Sequence, residues 1–218
     1  MDASEQDRRK QIMDAALRVF ARHGFHGATI KRIAEEAGLK SPALIYWYFK
    51  NKDDLYQAVM MELSPLLRQA ADPAGLMDKP PEEVLTILAR SYLSTFESPD
   101  VRRLFRILIS EAFRTPEVAE YVAERGIVVV LNFLVSYLQH QVDLGRLRPH
   151  DPQSGARAFL GMLVTYILGR ELFPPLRRTL PDAEHYVEQI VAIFLDGLRV
   201  AGNGAEGDSH SGPTEEEG

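Results

Sequence analysis

Cysteine is absent from this chain of 218 residues, which excludes disulfides and thiolate metal sites and fits a reducing cytoplasm. Long apolar runs are scarce as well. The longest, Ile127 to Val135, is interrupted by Asn132 and is too short to cross a bilayer. The opening residues Met1-Asp2-Ala3-Ser4-Glu5-Gln6 carry no apolar segment of the secretory kind, so a cytoplasmic protein with no membrane partner is expected. Signatures of catalysis are missing too. There is no G-x-S-x-G, H-E-x-x-H, phosphate-binding loop or dinucleotide fingerprint. The six histidines (His23, His26, His140, His150, His185 and His210) include no pair at the i, i+4 spacing that puts two ligands on one helical face. The expectation is therefore no enzyme, no cofactor and no metal.

What is present is a foldable chain with an uneven charge. Hydrophobic residues make up 45% and charged residues 26%, enough for packed cores. The net charge is −6, yet residues 1–52 hold ten Lys/Arg against six Asp/Glu, leaving a net −10 on the rest. A basic head on an acidic body suits a protein whose head alone meets phosphate, although a merely solvated basic face has the same composition.

The periodicity is helical throughout. Ile12, Ala15, Ala16, Val19 and Phe20 form the apolar stripe of a first helix ending near Gly24. Thr29 caps a short second helix to about Ala37. Ser41-Pro42 starts a third, to about Phe49, with a hydroxyl cap followed by proline where no amide donor is missed. Asn51 caps a fourth that reaches Ala71, and residues 72–81 read as a connection rich in turn formers. Further helices are expected over Glu82–Glu97 and from Ser98-Pro99 to Phe113. Thr115-Pro116 opens one to Leu144, Asp151-Pro152 another to Arg170, and Pro181 the last, to Ala201. Residues 202–218 hold five Gly and five Asp/Glu with almost nothing apolar, and read as a disordered acidic tail. The fold class is thus all-α. Residues 1–52 form a three-helix head with a helix-turn-helix, 53–201 a helical body, and 202–218 the tail.

Residues 29–49 carry the most information. Two short helices meet at Gly38, Ala34 is small enough for their close approach, and Ile33, Leu39 and Ile45 supply a small core. In this arrangement the second helix enters the major groove with its first residues toward base edges. The motif Ala16-Leu17-x-x-Phe20, Gly24-Phe25, Thr29-Ile30-x-x-Ile33-Ala34, Ala37-Gly38, Tyr46-x-Tyr48-Phe49 and Lys50-Asn51-Lys52-x-x-Leu55 resembles the tetracycline-repressor-like (TetR) family over about Arg9 to Val59. The resemblance implies a ligand-responsive repressor, released from a palindromic operator when a small, largely apolar effector binds. An activator of the same fold, or a helical interaction module without effector, fits the same residues.

The resemblance also assigns roles. Thr29 and Lys31 would lie by phosphate or a base at the second helix, and Lys52 would pair with phosphate. Tyr46 would touch the DNA backbone, and Trp47 would occupy a variable recognition position. One residue is extra between Gly38 and the cap. Counting back from Tyr46 makes Ser41 the cap and Ile45 the core residue. Counting forward from Gly38 makes Lys40 the cap and Leu44 the core residue. The Ser-Pro start favours the first, and Lys40, Ser41, Pro42 and Ala43 are all candidates for facing bases. Tyr48 and Phe49 read as core, whereas Tyr46 and Trp47 fit burial or DNA equally.

In the body, Phe105, Ile109, Phe113, Phe133, Tyr137, Phe159 and Tyr166 form an aromatic-rich set that fits an apolar effector pocket or an ordinary core. Met162 and Leu163, with Val187, Ile190, Val191, Phe194 and Leu198, form stripes on the last two long helices. The family pairs such helices with a twofold mate, which would set two recognition helices about 34–36 Å apart on double-stranded operator DNA. The expected partners are that DNA, a second copy and an unidentified small molecule.

Overall fold

The computed structural model describes residues 3–73, 75–114, 116, 120 and 123–199. All regular structure among them is helical. The head comprises α1 (Ala3–Gly27), α2 (Ile30–Glu36) and a 3-10 helix (Pro42–Trp47). Next come α3 (Lys52–Leu63) and α4 (Pro65–Ala71), which the sequence reads as one helix. Pro65 denies α3 its continuation, and the Ser64 hydroxyl accepts from Leu67 N at 3.2 Å to start α4 afresh. The body continues through α5 (Pro81–Thr95), α6 (Pro99–Ala112), a π-helical segment (Ala123–Ile127), α7 (Val128–Asp143), α8 (Pro152–Leu172), the single turn α9 (Pro174–Arg177) and α10 (Ala183–Asp196).

Caps expected from sequence at Thr29, Ser41, Asn51, Ser98 and Asp151 all accept a backbone N–H. The last helix is shorter than expected. Asp182 rather than Pro181 caps it, accepting from His185 N at 3.0 Å, and Gly197 closes it. The Thr115 cap and the acidic tail lie outside the described residues. So does most of the stretch in which the helix to Leu144 would begin.

Two cores form. The head core gathers Ile12, Ala16, Phe20, Phe25, Ile33, Ile45, Phe49, Leu55, Tyr56 and Val59, and also Leu104 and Leu108 from α6. Packing therefore runs past residue 52, and a helix of the body plugs the head. Burying each of those two leucines contributes roughly 2 kcal/mol. The kink at Gly24 (φ 66°) belongs to the same junction. The positive φ there calls for glycine, and the Glu111 carboxylate of α6 rests in the space beside it where a Cβ would stand.

The body core is larger, and Tyr137, Phe159, Leu85, Leu88 and Leu134 in it are fully buried. Met60 and Leu63 of α3 pack against both cores, making α3 the beam between them. The turn-rich connection is docked rather than free. Tyr137 donates its hydroxyl to Lys79 O at 2.8 Å, and the buried Gln141 amide donates to Met77 O at 2.7 Å. An Arg90–Glu184 ion pair joins α5 to α10.

Candidate nucleic-acid interface

The turn after α2 explains how the tip is presented. Gly38 takes φ 65°, which lets Leu39 N reach back to Ala34 O at 2.9 Å and close the helix. Gln11 of α1 donates to Ala37 O at 2.8 Å and pins this turn. Glu36 receives Arg18 at 2.7 Å and Arg22 at 2.8 Å, clamping α2 onto α1. The Arg18 hydrogen bond, helped by Arg22, holds the Glu36 carboxyl below its ordinary value of 4.5.

The structure decides the register. The Ser41 hydroxyl accepts from Ala43 N at 3.2 Å, Ile45 is completely buried, and Leu44 is only half-buried. Ser41 is the cap and the extra residue is absorbed before it. The third helix differs from expectation: it is a 3-10 helix ending at Trp47, where an α-helix to about Phe49 is expected. Asn51, the next cap, already lies in extended backbone (φ −161°), so the segment must end early and its bonds close at i, i+3, as in Leu44 N to Ser41 O (3.2 Å).

The tip that results is unusual for its exposed aromatics. Pro42 and Ala43 are exposed, Tyr46 is 55% exposed and Trp47 80%, while Phe49 of the same segment is 2% exposed under the Arg9 guanidinium. Thr29 is exposed and accepts from Arg32 N at 3.2 Å. Lys31 and Lys40 are exposed and form no ion pair with the described residues, and the same holds for Lys50, which reads from sequence as a mere turn residue. Free cations thus flank an apolar, aromatic ridge.

Lys52, expected at phosphate, is half-buried and engaged within the fold. Its ammonium donates to Phe25 O at 2.8 Å and Ala28 O at 3.1 Å and sits 4.3 Å from the Phe25 ring centre. Burial pulls its pKa down. Two of its three N–H bonds are spent on tying α3 to the α1–α2 loop, because those carbonyls have no helical partner to accept from.

Most of the aromatic set of the body is packed core, with its remaining members at the rim or in solvent. Phe133, Tyr137, Phe159 and Tyr166 are packed core, and the Tyr166 hydroxyl is committed to Pro181 O at 3.0 Å. Phe105 lies edge-on to Phe96 at 5.1 Å, Ile109 is half-buried, and Phe113 is 88% exposed. An apolar cavity lies elsewhere, between α3, α4 and the π-helical entry to α7, with a volume of about 270 Å³. Met60, Met61, Leu67 and Val129 give it apolar walls, Glu124 and Arg125 a polar edge, and Tyr56 its end against the head. Tyr56 packs edge-on against Phe20 at 5.2 Å and Phe25 at 5.1 Å, and burial drives its phenol far above the ordinary range. The one local signal for it is the methionine pair Met60-Met61 on α3, which is not among the residues expected from sequence to line an effector pocket.

The residues expected at a dimer face are likewise packed mostly within the chain. Leu163, Val187, Ile190, Val191 and Leu198 lie inside the chain's own core, with Met162 and Phe194 half-buried at its rim and Phe194 against Phe159 at 5.2 Å. An amphipathic helix uses its apolar stripe on its own domain first. What α8 and α10 leave exposed is a small-residue face, Ala158, Gly161 and Thr165, and Ile193 at 64%.

A capped two-helix motif with an exposed ridge, set by a plug from a separate helical body, defines a helix-turn-helix transcriptional regulator with a regulatory domain. Comparison with known proteins agrees at both ends of the chain. Residues 12–59 match the model of bacterial regulatory proteins of the tetR family, and residues 83–197 that of the AefR-like transcriptional repressor C-terminal domain. The protein belongs to the TetR family of transcriptional regulators.

Among relatives, the regulator BetI of Rhizobium meliloti is 32% identical over 209 residues, covering 92% of this chain and 94% of its own. SmeT, the repressor of a Stenotrophomonas maltophilia multidrug efflux pump, solved as a triclosan complex, superposes with a TM-score of 0.67 at 23% identity over 90% of this chain and 93% of its own. Bacillus subtilis FadR in complex with stearoyl-CoA gives 0.62 at 20%, covering 86% and 98%. At such identity the two structures speak for the fold. No helix among the described residues is long and apolar enough to cross a membrane.

Proposed function

We propose that the protein is a cytoplasmic, non-enzymatic repressor that holds a palindromic operator as a homodimer and releases it when a small, largely apolar effector binds. The observation that carries the DNA half is the exposure of Trp47 (80%) and Tyr46 (55%) in a head whose other large apolar side chains are buried or half-buried. Pro42 and Ala43 offer apolar contact to a thymine methyl, and Ser41 and Trp47 border them. Thr29, Lys31 and Lys40, joined by Lys50, supply sequence-blind grip on phosphate. Lys52 serves this grip indirectly, by holding the loop between α1 and α2.

The effector site is the apolar cavity behind Tyr56. SmeT and FadR, which share this fold, are solved with triclosan and stearoyl-CoA, both rich in apolar surface. A ligand filling the space beside Met60 and Leu67 must displace α3 or Tyr56, and both reach into the head core. It therefore favours a state in which the two tips are misplaced for successive major grooves, and operator affinity falls by its differential affinity for that state. The dimer rests on the exposed face of α8 and α10 around Gly161 and Ile193.

The test is selection of operator fragments from a random duplex pool, followed by anisotropy titration. Trp47→Ala should lower affinity about tenfold while leaving the thermal midpoint in place. A wild-type protein that ignores duplex DNA at low salt would remove the proposal. One that binds DNA and is displaced by no apolar compound would remove its effector half.

A further inference from the structure

We propose a second ligand site, independent of the apolar cavity: a basin of about 460 Å³ between α6, the end of α8 and α9 that binds a phosphate-bearing small molecule of at least two negative charges. Arg102, Arg103 and Arg106 of α6, Arg170 of α8 and Arg177 of α9 wall it, around the single carboxylate of Glu171.

The charge distribution singles this place out. Beyond residue 52 the chain has 15 basic groups against 25 acidic ones, yet five of those 15 converge here. Glu171, its side chain only 6% exposed, is divided among Arg106 at 3.1 Å, Arg170 at 3.1 Å and Arg102 at 3.8 Å. One carboxylate against five guanidiniums leaves a large positive excess within one concavity, and close like charges repel unless an anion joins them. A monocarboxylate would cancel one charge; a diphosphate cancels most of the excess.

The donors are also held in place before any ligand arrives. Arg102 Nη1 donates to Phe96 O at 2.9 Å and Glu97 O at 2.8 Å, and Arg170 Nη2 donates to Phe96 O at 2.9 Å. These bonds fix two guanidinium planes, and the guanidinium fork matches a pair of phosphate oxygens. Arg103 and Arg177 are exposed and form no ion pair with the described residues, so their donors are available at the mouth. The volume fits the range of small-molecule sites. None of these residues belongs to the recognition tip, which argues for a small molecule over operator phosphate.

Occupancy has a consequence for the head. A diphosphate bridging Arg103 and Arg106 to Arg177 stitches α6 to α9. The neighbouring α6 residues Leu104 and Leu108 sit in the head core.

The experiment is calorimetric titration of the full chain with inorganic pyrophosphate at constant ionic strength, with sulfate as control, on wild type and on Arg103→Glu/Arg177→Glu. The side chains of these two arginines form no ion pair or hydrogen bond with the described residues, so the unliganded thermal midpoint should hold. Should that variant not fold, Arg103→Gln/Arg177→Gln replaces it. Pyrophosphate should bind wild type at least about tenfold more tightly than sulfate, and the double substitution should weaken it by about a hundredfold, roughly a factor of ten per lost charge-assisted contact. No heat with pyrophosphate, or binding undiminished in the variant, overturns the proposal. So does a variant that loses its dimer in sedimentation, which would give the basin to a second copy's acidic surface. A variant that loses operator affinity in the absence of pyrophosphate would give it to DNA. Since the apolar cavity shares no residue with the basin, none of these results bears on the response to apolar effectors.

Discussion

The head and the body treat aromatic side chains in opposite ways. In the body most rings turn inward, Phe113 and Phe173 excepted, and three tyrosine hydroxyls are consumed by backbone carbonyls, Tyr137 by Lys79, Tyr166 by Pro181 and Tyr186 by Met162 at 2.7 Å. At the head's tip Tyr46 and Trp47 face outward, near lysines that no carboxylate of the described residues claims. Aromatic content alone therefore marks nothing in this molecule. Exposure alone marks nothing either, since Phe113 is as open as Trp47; exposed rings set among lysines unpaired within the described residues are what mark the tip as a recognition surface. The two regions also differ in self-sufficiency: the body closes its own core, whereas the head needs Leu104 and Leu108 from α6.

The sharpest way to break this contrast is Leu104→Ala. If the head depends on its plug, the substitution should cost about 3 kcal/mol in urea denaturation and disorder the head with it. A loss below about 1 kcal/mol would make the two regions separate units after all. The next test concerns which lysines face DNA. Lys31→Ala/Lys40→Ala should lower the slope of log affinity against log salt by about 2 with stability unchanged. Lys52→Ala should instead cost the head about 1–2 kcal/mol, through the two carbonyls it leaves without a donor, and move the salt slope less. Equal salt slopes for the two variants would return Lys52 to the DNA surface. The smallest effect lies at the Arg18–Glu36–Arg22 clamp. Because the folded Glu36 carboxyl is held below 4.5, its contribution is full above that pH and is lost as pH falls through the lowered folded value. The stability gap between wild type and Glu36→Gln, about 1 kcal/mol at most for so exposed a pair, should close in that acid range. A gap that persists below it would show that the clamp works by packing.

Much of the fold was legible in the sequence because caps and prolines are local signals. Thr29, Ser41, Asn51, Ser98 and Asp151 each announce a helix start that needs no tertiary knowledge. The tip was legible through the same logic, since Ser41-Pro42 fixed a register that Gly38 alone would have misplaced. Residues 53–201 were legible as helices and illegible as surfaces. Their apolar stripes look alike whether they meet a partner, a ligand or their own core, and here most meet their own core. The break at Ser64-Pro65 was missed even though it carries the same hydroxyl-proline signal, because the apolar pattern continues through it. Lys52 could not be read because its partners, Phe25 O and Ala28 O, are backbone atoms distant in sequence. The arginine basin had no local signature either: its members come from three helices, and only the fold brings them together.

The notch at Gly24, filled by the Glu111 carboxylate, bears on how such regulators could be recombined. A chimera that kept residues 1–63 and took its sensor from a cousin would inherit a hollow where two leucines belong and a gap where a carboxylate should rest. Successful exchange would have to carry the donor's matching sixth helix, or repaint its inward face, so the natural seam for swapping runs through the middle of the sensor and not along the boundary between the modules.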